Sequence, residues 1–276
     1  MSVNVKIKQK SLFKKKLGVD EIIKILNLSY GVCDENYRLH RNEIANHTLI
    51  YDENNLARGI DLSIDGADIL LSLSLPTSKE EIRCFYDVID KLCNELKIQK
   101  YIRDEEQVNI KDKEKFIKYD EDGSICGLEN IQERLNKNEG NRSEIFGIYN
   151  PISIGIKEIK EINNDLDNLS SFLNRVQSLD VYYATPRVYK VHDKLVGIYA
   201  IGLNIPSVVP TKPYIVLNQV KGIEQWYVML REGKTIKYED FINNIDKDKY
   251  YDVNHIIVTL NDEQTDMLID KYFVEL

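Results

Sequence analysis

The chain has 276 residues, of which 43% are hydrophobic and 30% charged, and its formal net charge is −8. A composition of this kind can bury a sizeable core, which excludes an intrinsically disordered chain. The acidic balance argues against nucleic acid as a partner, because phosphate contacts need clustered Lys and Arg.

Two further features of the sequence bear on the cellular compartment. No stretch approaches the roughly 18 uninterrupted apolar residues of a membrane span, and the N-terminus has no apolar secretory region. The cysteines contain no Cys-x-x-Cys pair and are expected to be reduced thiols. They are Cys33, Cys84, Cys93 and Cys126. We therefore expect a cytoplasmic protein with no membrane partner, and the sequence does not indicate an oligomeric state.

The first predicted element is a strand. Val3, Val5 and Ile7 alternate with polar residues, a period of two that gives one apolar and one basic face. The lysines of this region, up to Lys16, are expected on a solvated strand face and in a following loop. The alternative is a patch for an anionic ligand. A short helix is predicted over 20–28.

The next elements are strands at 48–53, 56–64 and 69–75, with a turn at Asp65-Gly66 between the last two. Thr77 and Glu80 have the spacing of a capping box and predict a helix that continues to about residue 96. Apolar residues recur at helical spacing and predict its buried face. They are Ile82, Phe85, Ile89, Leu92 and Cys93. Cys84 lies off this face and is expected to be more exposed.

A highly charged region at 103–123 predicts a solvated connection, followed by a helix at 128–136. Overlapping the end of this region, residues 118–129 have part of the pattern of a twelve-residue calcium loop. Lys118 stands where the first carboxylate ligand is needed, so we predict a polar turn and assign no metal. No apolar residue occurs over 136–143, which indicates a boundary between two halves, 1–140 and 141–276.

The second half is predicted to contain helices at 157–162 and 166–178, then a dense strand region. Strands at 181–191 and 195–203 flank the loop 192–194, and further strands follow at 214–217, 224–230 and 255–260. Helices are predicted at 238–245 and 262–272, the last capped by Asn261 with Gln264. The whole pattern predicts an α+β fold of two α/β halves, with mainly antiparallel or mixed sheets covered by helices.

No known catalytic motif is present. Glycine-rich phosphate loops, the Gly-x-Ser-x-Gly turn and His-Glu-x-x-His are absent. The histidines are scattered, and acids such as Asp61, Asp65 and Asp68 are expected to solvate turns. We assign no catalytic residue and no cofactor. An acidic or Cys/His site assembled from distant parts of the chain remains the alternative, because its partners meet in space and not in sequence.

An aromatic stretch at 181–189 is the most distinctive part of the sequence. Arginine and aromatic side chains are enriched where proteins bind partners, so Tyr183, Arg187 and Trp226 are predicted to form a binding surface. Strand alternation predicts that Tyr183 and Arg187 share a solvent-facing side while Tyr182 is buried. Trp226 is predicted to be more buried than Tyr227. The alternative explanation is core packing without a ligand.

The same region carries a resemblance to a known family. The motifs are Tyr182-Tyr183-Ala184 with Pro186-Arg187, Gly197-Ile198-Tyr199, and Gln225-Trp226-Tyr227, together with an opening Ser11-Leu12-Phe13. In these the chain resembles an uncharacterised family of low-GC Gram-positive bacteria, a domain of unknown function. The resemblance implies a cytoplasmic bacterial protein. We predict a non-enzymatic protein-interaction or accessory protein, with toxin neutralisation as one form. The alternative is a small hydrolase.

Overall fold

Alternation of apolar and polar residues at the N-terminus forms the predicted strand, β1 (Ser2–Lys8), with Val3, Val5 and Ile7 buried. The computed structural model describes residues 1–9, 16–35, 37–137, 142–216, 220–247 and 249–276. The predicted loop lysines Lys14 and Lys15 lie outside these residues.

The chain divides into two compact units, Met1–Ser178 and Leu179–Leu276. The predicted boundary between residues 140 and 141 lies outside the described residues and stays a prediction. The described residues on either side of it, Lys137 and Arg142, belong to the first unit.

The first unit begins with a sheet and its covering helices. Its strands after β1 are β2 (Ser29–Cys33), β3 (Leu39–Arg41), β4 (His47–Tyr51), β5 (Ile60–Asp65), β6 (Asp68–Ser74), β7 (Lys100–Arg103), β8 (Glu106–Asn109), β9 (Ser143–Phe146) and β10 (Pro151–Ile154). Its helices are α1 (Val19–Leu26), α2 (Lys79–Glu95), α3 (Lys113–Lys137), α4 (Ile156–Ile162) and α5 (Leu166–Gln177), with a 3-10 turn at Ile110–Asp112.

Eight of these strands form one antiparallel sheet in the order β3-β2-β4-β5-β6-β1-β7-β8. Asp65 pairs with Asp68, so the predicted Asp65-Gly66 turn closes the β5–β6 hairpin. Strands β9 and β10 form a separate antiparallel pair. The buried strand residues pack with α1 and α2 in one core, which leaves the alternate residues of each strand on the other face.

Helix α2 buries the predicted face, including Leu92 and Cys93, whereas Cys84 is partly buried. Its cap differs from the prediction by one residue, because Ser78 Oγ accepts the Glu81 N–H at 3.1 Å. The predicted Thr77–Glu80 capping box is therefore wrong. The Thr77 hydroxyl instead donates to the buried Glu81 carboxylate, which also accepts from the backbone N–H of Arg58 at 2.9 Å.

Strand β8, the 3-10 turn and the first part of helix α3 replace the solvated connection predicted over 103–123, and that prediction is wrong. The 25-residue helix buries a row at helical spacing in which polar and apolar residues mix. The row is Ile117, Asp120, Ser124, Leu128, Ile131 and Leu135. Asp120 accepts from Tyr86 Oη at 2.5 Å and from Arg103 Nη2 at 2.5 Å, and Arg103 Nε donates to Tyr86 Oη at 3.1 Å.

The second unit contains two mixed sheets. Its strands are β11 (Tyr182–Tyr183), β12 (Arg187–Val191), β13 (Lys194–Ala200), β14 (Ser207–Pro210), β15 (Ile223–Met229), β16 (Thr235–Lys237), β17 (Tyr250–Asp252), β18 (His255–Val258) and β19 (Phe273–Val274). Its helices are α6 (Tyr238–Asn243) and α7 (Asp262–Tyr272), with a 3-10 turn at Arg231–Gly233. Of the predicted strand 214–217, residues 214–216 are not in a strand and Leu217 lies outside the described residues.

The two sheets have the orders β11-β14-β18-β17 and β12-β13-β15-β16-β19. Most neighbours are antiparallel, but β11–β14 and β13–β15 are parallel. His192 and Asp193 turn between β12 and β13 with φ values of 46° and 65°, the left-handed geometry of a tight hairpin. Asn261 caps α7 as predicted. The α+β prediction is confirmed, and no described helix is long and apolar enough to cross a membrane.

Candidate functional sites

The three predicted binding residues lie in different places within the second unit. Tyr183 is on β11 of one sheet, Arg187 begins β12 of the other, and Trp226 is on β15 of that second sheet. Tyr183 and Arg187 do not share a strand, because the chain leaves the first sheet after Tyr183. The side assignment based on continuous alternation is therefore wrong.

The exposure of these side chains corrects two further predictions. Tyr183 is 6% exposed, whereas Tyr182 is only partly buried. Arg187 is exposed, as predicted. Trp226 is half-buried, whereas Tyr227 is buried and its hydroxyl donates to Gln225 Oε1 at 2.7 Å. A satisfied hydroxyl removes the penalty of burying tyrosine, so the larger apolar area of tryptophan did not decide which side chain is buried.

The hydroxyl of the buried Tyr183 contacts a histidine ring. His255 Nε2 lies 2.9 Å from Tyr183 Oη and 3.2 Å from Tyr214 Oη, and its Nδ1 lies 2.7 Å from Asp252 Oδ1. Because the Asp252 carboxylate accepts, Nδ1 is the donor of that pair, and Nε2 lies within hydrogen-bond distance of both phenols. Burial, together with Tyr214, raises the pKa of Tyr183 well above its usual range, which keeps the phenol a donor.

The Asp252–His255 pair resembles part of a nucleophilic triad, but the geometry limits what it can do. His255 is 1% exposed, and Nε2 faces two phenols where a triad has a serine or cysteine. Asp252 Oδ1 also accepts the backbone N–H groups of Asn254 and His255 at 2.8 and 2.9 Å. The cluster therefore ties β11 and the Tyr214 segment to the β17–β18 turn and orients no nucleophile. Sequence spacing does not reveal it, because Tyr183 and His255 are 72 residues apart.

Trp226 lines a pocket of about 560 Å³ in the second unit. We call this the Trp226 pocket. Its other walls come from the loop after β14, the end of β16 and α6. The side chains that line it include Lys212, Gln225, Lys237, Tyr238 and Glu239.

A larger groove of about 1100 Å³ lies on the side of the eight-stranded sheet that its helices leave uncovered. We call it the sheet groove. Alternate residues of neighbouring strands line its floor: Asn4, Lys6 and Lys8 on β1, Asp68, Leu70, Ser72 and Ser74 on β6, and Asp61 and Ser63 on β5. Phe146 lines it as well and stacks on Tyr37 with ring centroids 4.3 Å apart.

The sheet groove also brings together a cysteine, a histidine and an acid. Cys33, His47 and Asp61 line it from β2, β4 and β5, which are consecutive strands of the sheet. His47 Nδ1 lies 3.3 Å from Asp61 Oδ1. Cys33 is exposed, but partial desolvation, and then the charges of Asp34 and Asp61, raise the pKa of its thiol, so that the reactive thiolate is disfavoured.

The polar turn predicted at 118–129 is wrong, because a helix occupies these residues. These residues lie within α3, so they cannot adopt the loop that encloses the ion, and Lys118 Nζ donates to Asp122 Oδ1 at 2.7 Å. Among the described residues, no group of three or more His, Cys, Asp or Glu side chains could hold a metal ion.

These features define an α+β protein with a helix-backed antiparallel sheet, a groove on its free face and a second unit of two mixed sheets. The chain matches the family described as Domain of unknown function (DUF4299) over residues 2–268, and it belongs to that family. Comparison with curated proteins gives no match, and comparison with solved structures gives none either.

Proposed function

We propose that this protein is a non-enzymatic binding protein that holds a polypeptide segment in the sheet groove. The observation that carries the proposal is the size and position of that groove. Its volume of about 1100 Å³ exceeds the range of roughly 300–1,000 Å³ that is typical of small-molecule pockets. A longer ligand therefore fits it better than a compact metabolite.

The spacing of the groove residues suits an extended peptide. Leu70, Ser72 and Ser74 follow one another at every second position of β6, and the same holds for Asn4, Lys6 and Lys8 on β1. Every second residue of an extended chain advances about 6.8 Å, so a peptide lying along these strands repeats its side chains in step with them.

The residues that line the groove also offer both apolar and charged groups, and the side chains of a peptide need contacts of both kinds. Leu49, Leu70 and Ile102 offer apolar contacts, while Lys8 and Glu105 offer opposite charges. Lys6 Nζ lies 3.7 Å from Asp68 Oδ2, so part of the groove charge is already neutralised. Because the groove carries charges of both signs, a ligand with a strong charge of a single sign would meet no complementary electrostatic potential here.

A peptide library displayed on phage and panned against the protein tests the proposal. Ser72→Arg fills the groove floor, and Asn130→Arg makes the same charge change on the exposed face of α3. Enriched peptides should bind the wild type and Asn130→Arg alike, and should lose about tenfold or more in affinity for Ser72→Arg. Enrichment of no sequence, or equal binding to Ser72→Arg, contradicts the proposal.

The setting that we propose is the bacterial cytoplasm, and the role is that of an accessory protein that can include toxin neutralisation. The unpaired state of Cys33, Cys84, Cys93 and Cys126 supports a reducing compartment. A protein partner that cross-links to the wild type and not to Ser72→Arg should impair bacterial growth when it is expressed alone. Wild-type protein should restore growth and Ser72→Arg should not. A partner that is harmless when expressed alone contradicts the neutralising role.

A small hydrolase is the second candidate, and the shared position of Cys33, His47 and Asp61 in the groove favours it. The raised pKa of Cys33 weighs against it, because a thiol is a poor nucleophile. Incubation of the enriched peptides with wild type and Cys33→Ser distinguishes the two functions. Intact peptides in both reactions support binding alone, whereas cleavage by the wild type that is lost in Cys33→Ser supports the hydrolase.

A further inference from the structure

We propose that the Trp226 pocket binds a small molecule that carries one planar aromatic ring and one negative charge. This site lies within the second unit and does not depend on the sheet groove.

The indole of Trp226 lies against a glycine. Trp226 pairs with Gly197 across β15 and β13, and a Cβ atom at Gly197 would lie 2.4 Å from Cε3 and Cζ3 of the ring. Glycine therefore permits the ring to lie close against the backbone of β13. Trp226 nevertheless stays half-buried and lines the pocket, so part of a large flat surface remains available for stacking.

The rings behind Trp226 are fixed by hydrogen bonds. Tyr199 is 1% exposed, and its hydroxyl donates to Tyr214 O at 2.7 Å and accepts from Tyr214 N at 3.1 Å. Tyr238 donates to Pro210 O at 2.6 Å. The Tyr199 ring lies 6.0 Å from Trp226 and 5.1 Å from Tyr238, centroid to centroid. An aromatic wall held in this way loses little freedom when a ligand binds.

The charged residues at the pocket set the charge of the ligand. Lys212 and Lys237 reach it from two separate elements, and both are exposed. Neither forms an ion pair with a described residue. Glu239 also lines the pocket, so the three side chains leave a net charge of about one positive unit at neutral pH. One carboxylate or one phosphate monoester matches that charge better than a polyphosphate does.

The volume of about 560 Å³ suits a ligand of this size. An aromatic carboxylate and a nucleoside monophosphate both combine a ring with an anionic group, so the experiment must separate them. Anthranilate serves as the probe for the first and AMP for the second. Cyclohexanecarboxylate has the charge without the aromatic ring, and benzamide has the ring without the charge.

Binding is measured by isothermal titration calorimetry of the full chain, with tryptophan emission as a second readout because Trp226 is the one tryptophan in the sequence. Anthranilate or AMP should bind and change the emission, while cyclohexanecarboxylate and benzamide should bind more weakly. Trp226→Leu should weaken binding roughly three- to tenfold through lost stacking.

Lys212→Gln and Lys237→Gln should each weaken binding roughly two- to fivefold, the range for an exposed ion pair. Lys234→Gln is the matched control, since Lys234 is also exposed but does not line the pocket. Binding of neither anthranilate nor AMP at about millimolar concentration overturns the proposal. Equal affinity in the wild type and in all three pocket variants overturns it too.

Discussion

At the scale of single residues, Arg103, Asp120 and Tyr86 form a buried charged group in the first unit. Asp120 is 1% exposed and Arg103 is 9% exposed. Burial, and then the hydrogen bond to Asp120, raise the pKa of Tyr86 well above its usual range, so its hydroxyl remains a donor. The three side chains satisfy one another, which is the condition under which charge can be buried.

Removal of Asp120 should therefore be costly. Asp120→Ala leaves Arg103 with Asp104 as its remaining acid, at 3.0 Å, and should lower the free energy of unfolding by about 3–5 kcal/mol. Asp122→Ala removes an exposed partner of Lys118 two positions along the same helix and should cause no measurable change. Urea unfolding of the two variants checks this, and equal losses would mean that Asp120 is not an obligatory partner.

The reactivity of Cys93 offers a second test at this scale. Burial, and then the charge of Asp90, raise the pKa of Cys93 to about 12. On the order of one molecule in ten thousand is then a thiolate at pH 8. Cys126 is exposed and should react with a thiol reagent within the mixing time, whereas Cys93 should react only as the protein unfolds. Comparison of Cys93→Ala with the wild type identifies the slow thiol, and rapid labelling of Cys93 would mean that α2 is displaced or rotated.

At the scale of elements, α2 and α3 explain what the sequence predicts and what it does not. In α2 the buried positions Ile82, Phe85 and Ile89 are apolar, so helical periodicity is visible in the sequence. In α3 the buried row includes the polar Asp120 and Ser124, so apolar residues do not recur at helical spacing and the sequence shows no clear helical period. The reason lies in Arg103 and Tyr86, 17 and 34 residues away, which contact Asp120 only once the chain has folded.

The same limit applies to the candidate sites. Strand alternation predicts which side of β1 faces solvent, and that side became part of the sheet groove. No local pattern predicts that Tyr183 meets His255, because this contact depends on how β11, β14 and β18 are ordered in the sheet. Trp226 was predicted to lie in a binding surface, but its exposure depends on Gly197 in the neighbouring strand.

Leu92→Ala tests the packing of α2. Leu92 is fully buried, and its truncation should cost about 2–5 kcal/mol, the range for loss of a core leucine. Asn94→Ala, two residues later on the exposed side of the helix, should stay within about 0.5 kcal/mol of the wild type. Thermal unfolding of both variants gives the two values. Similar stabilities for the two would place Leu92 outside the core.

At the scale of the whole molecule, each compact unit has its own core. One core contains residues from Val3 to Ile117, and another contains residues from Ala184 to Ile269. Cores that share no residues can be destabilised separately. The chain provides a natural probe for each, since Cys93 lies in the first core and Trp226 packs against the second.

Separate cores predict separate responses to mutation. In a guanidinium titration, Leu92→Ala should lower the midpoint for Cys93 labelling and leave the midpoint for Trp226 emission unchanged. Phe241→Ala, which truncates a fully buried ring in the second core, should do the reverse and cost about 3–5 kcal/mol in that transition. If both probes shift together in both variants, the units unfold as one cooperative body.

Arg187 lies on an edge strand of its sheet, and we expect its charge to limit self-association without any binding partner. It begins β12, the first strand in its sheet, whose five residues also include the exposed Tyr189 and Lys190. An edge strand with aromatic and β-branched residues is a template for pairing with another chain, and positive charge at the edge opposes such pairing.

The double variant Arg187→Thr with Lys190→Thr should therefore self-associate as concentration rises in sedimentation velocity. Lys234→Thr with Lys247→Thr removes the same charge at two exposed positions outside β12 and its partner strand, and should sediment like the wild type. Equal association of both double variants would mean that net charge, and not this edge, keeps the chains apart.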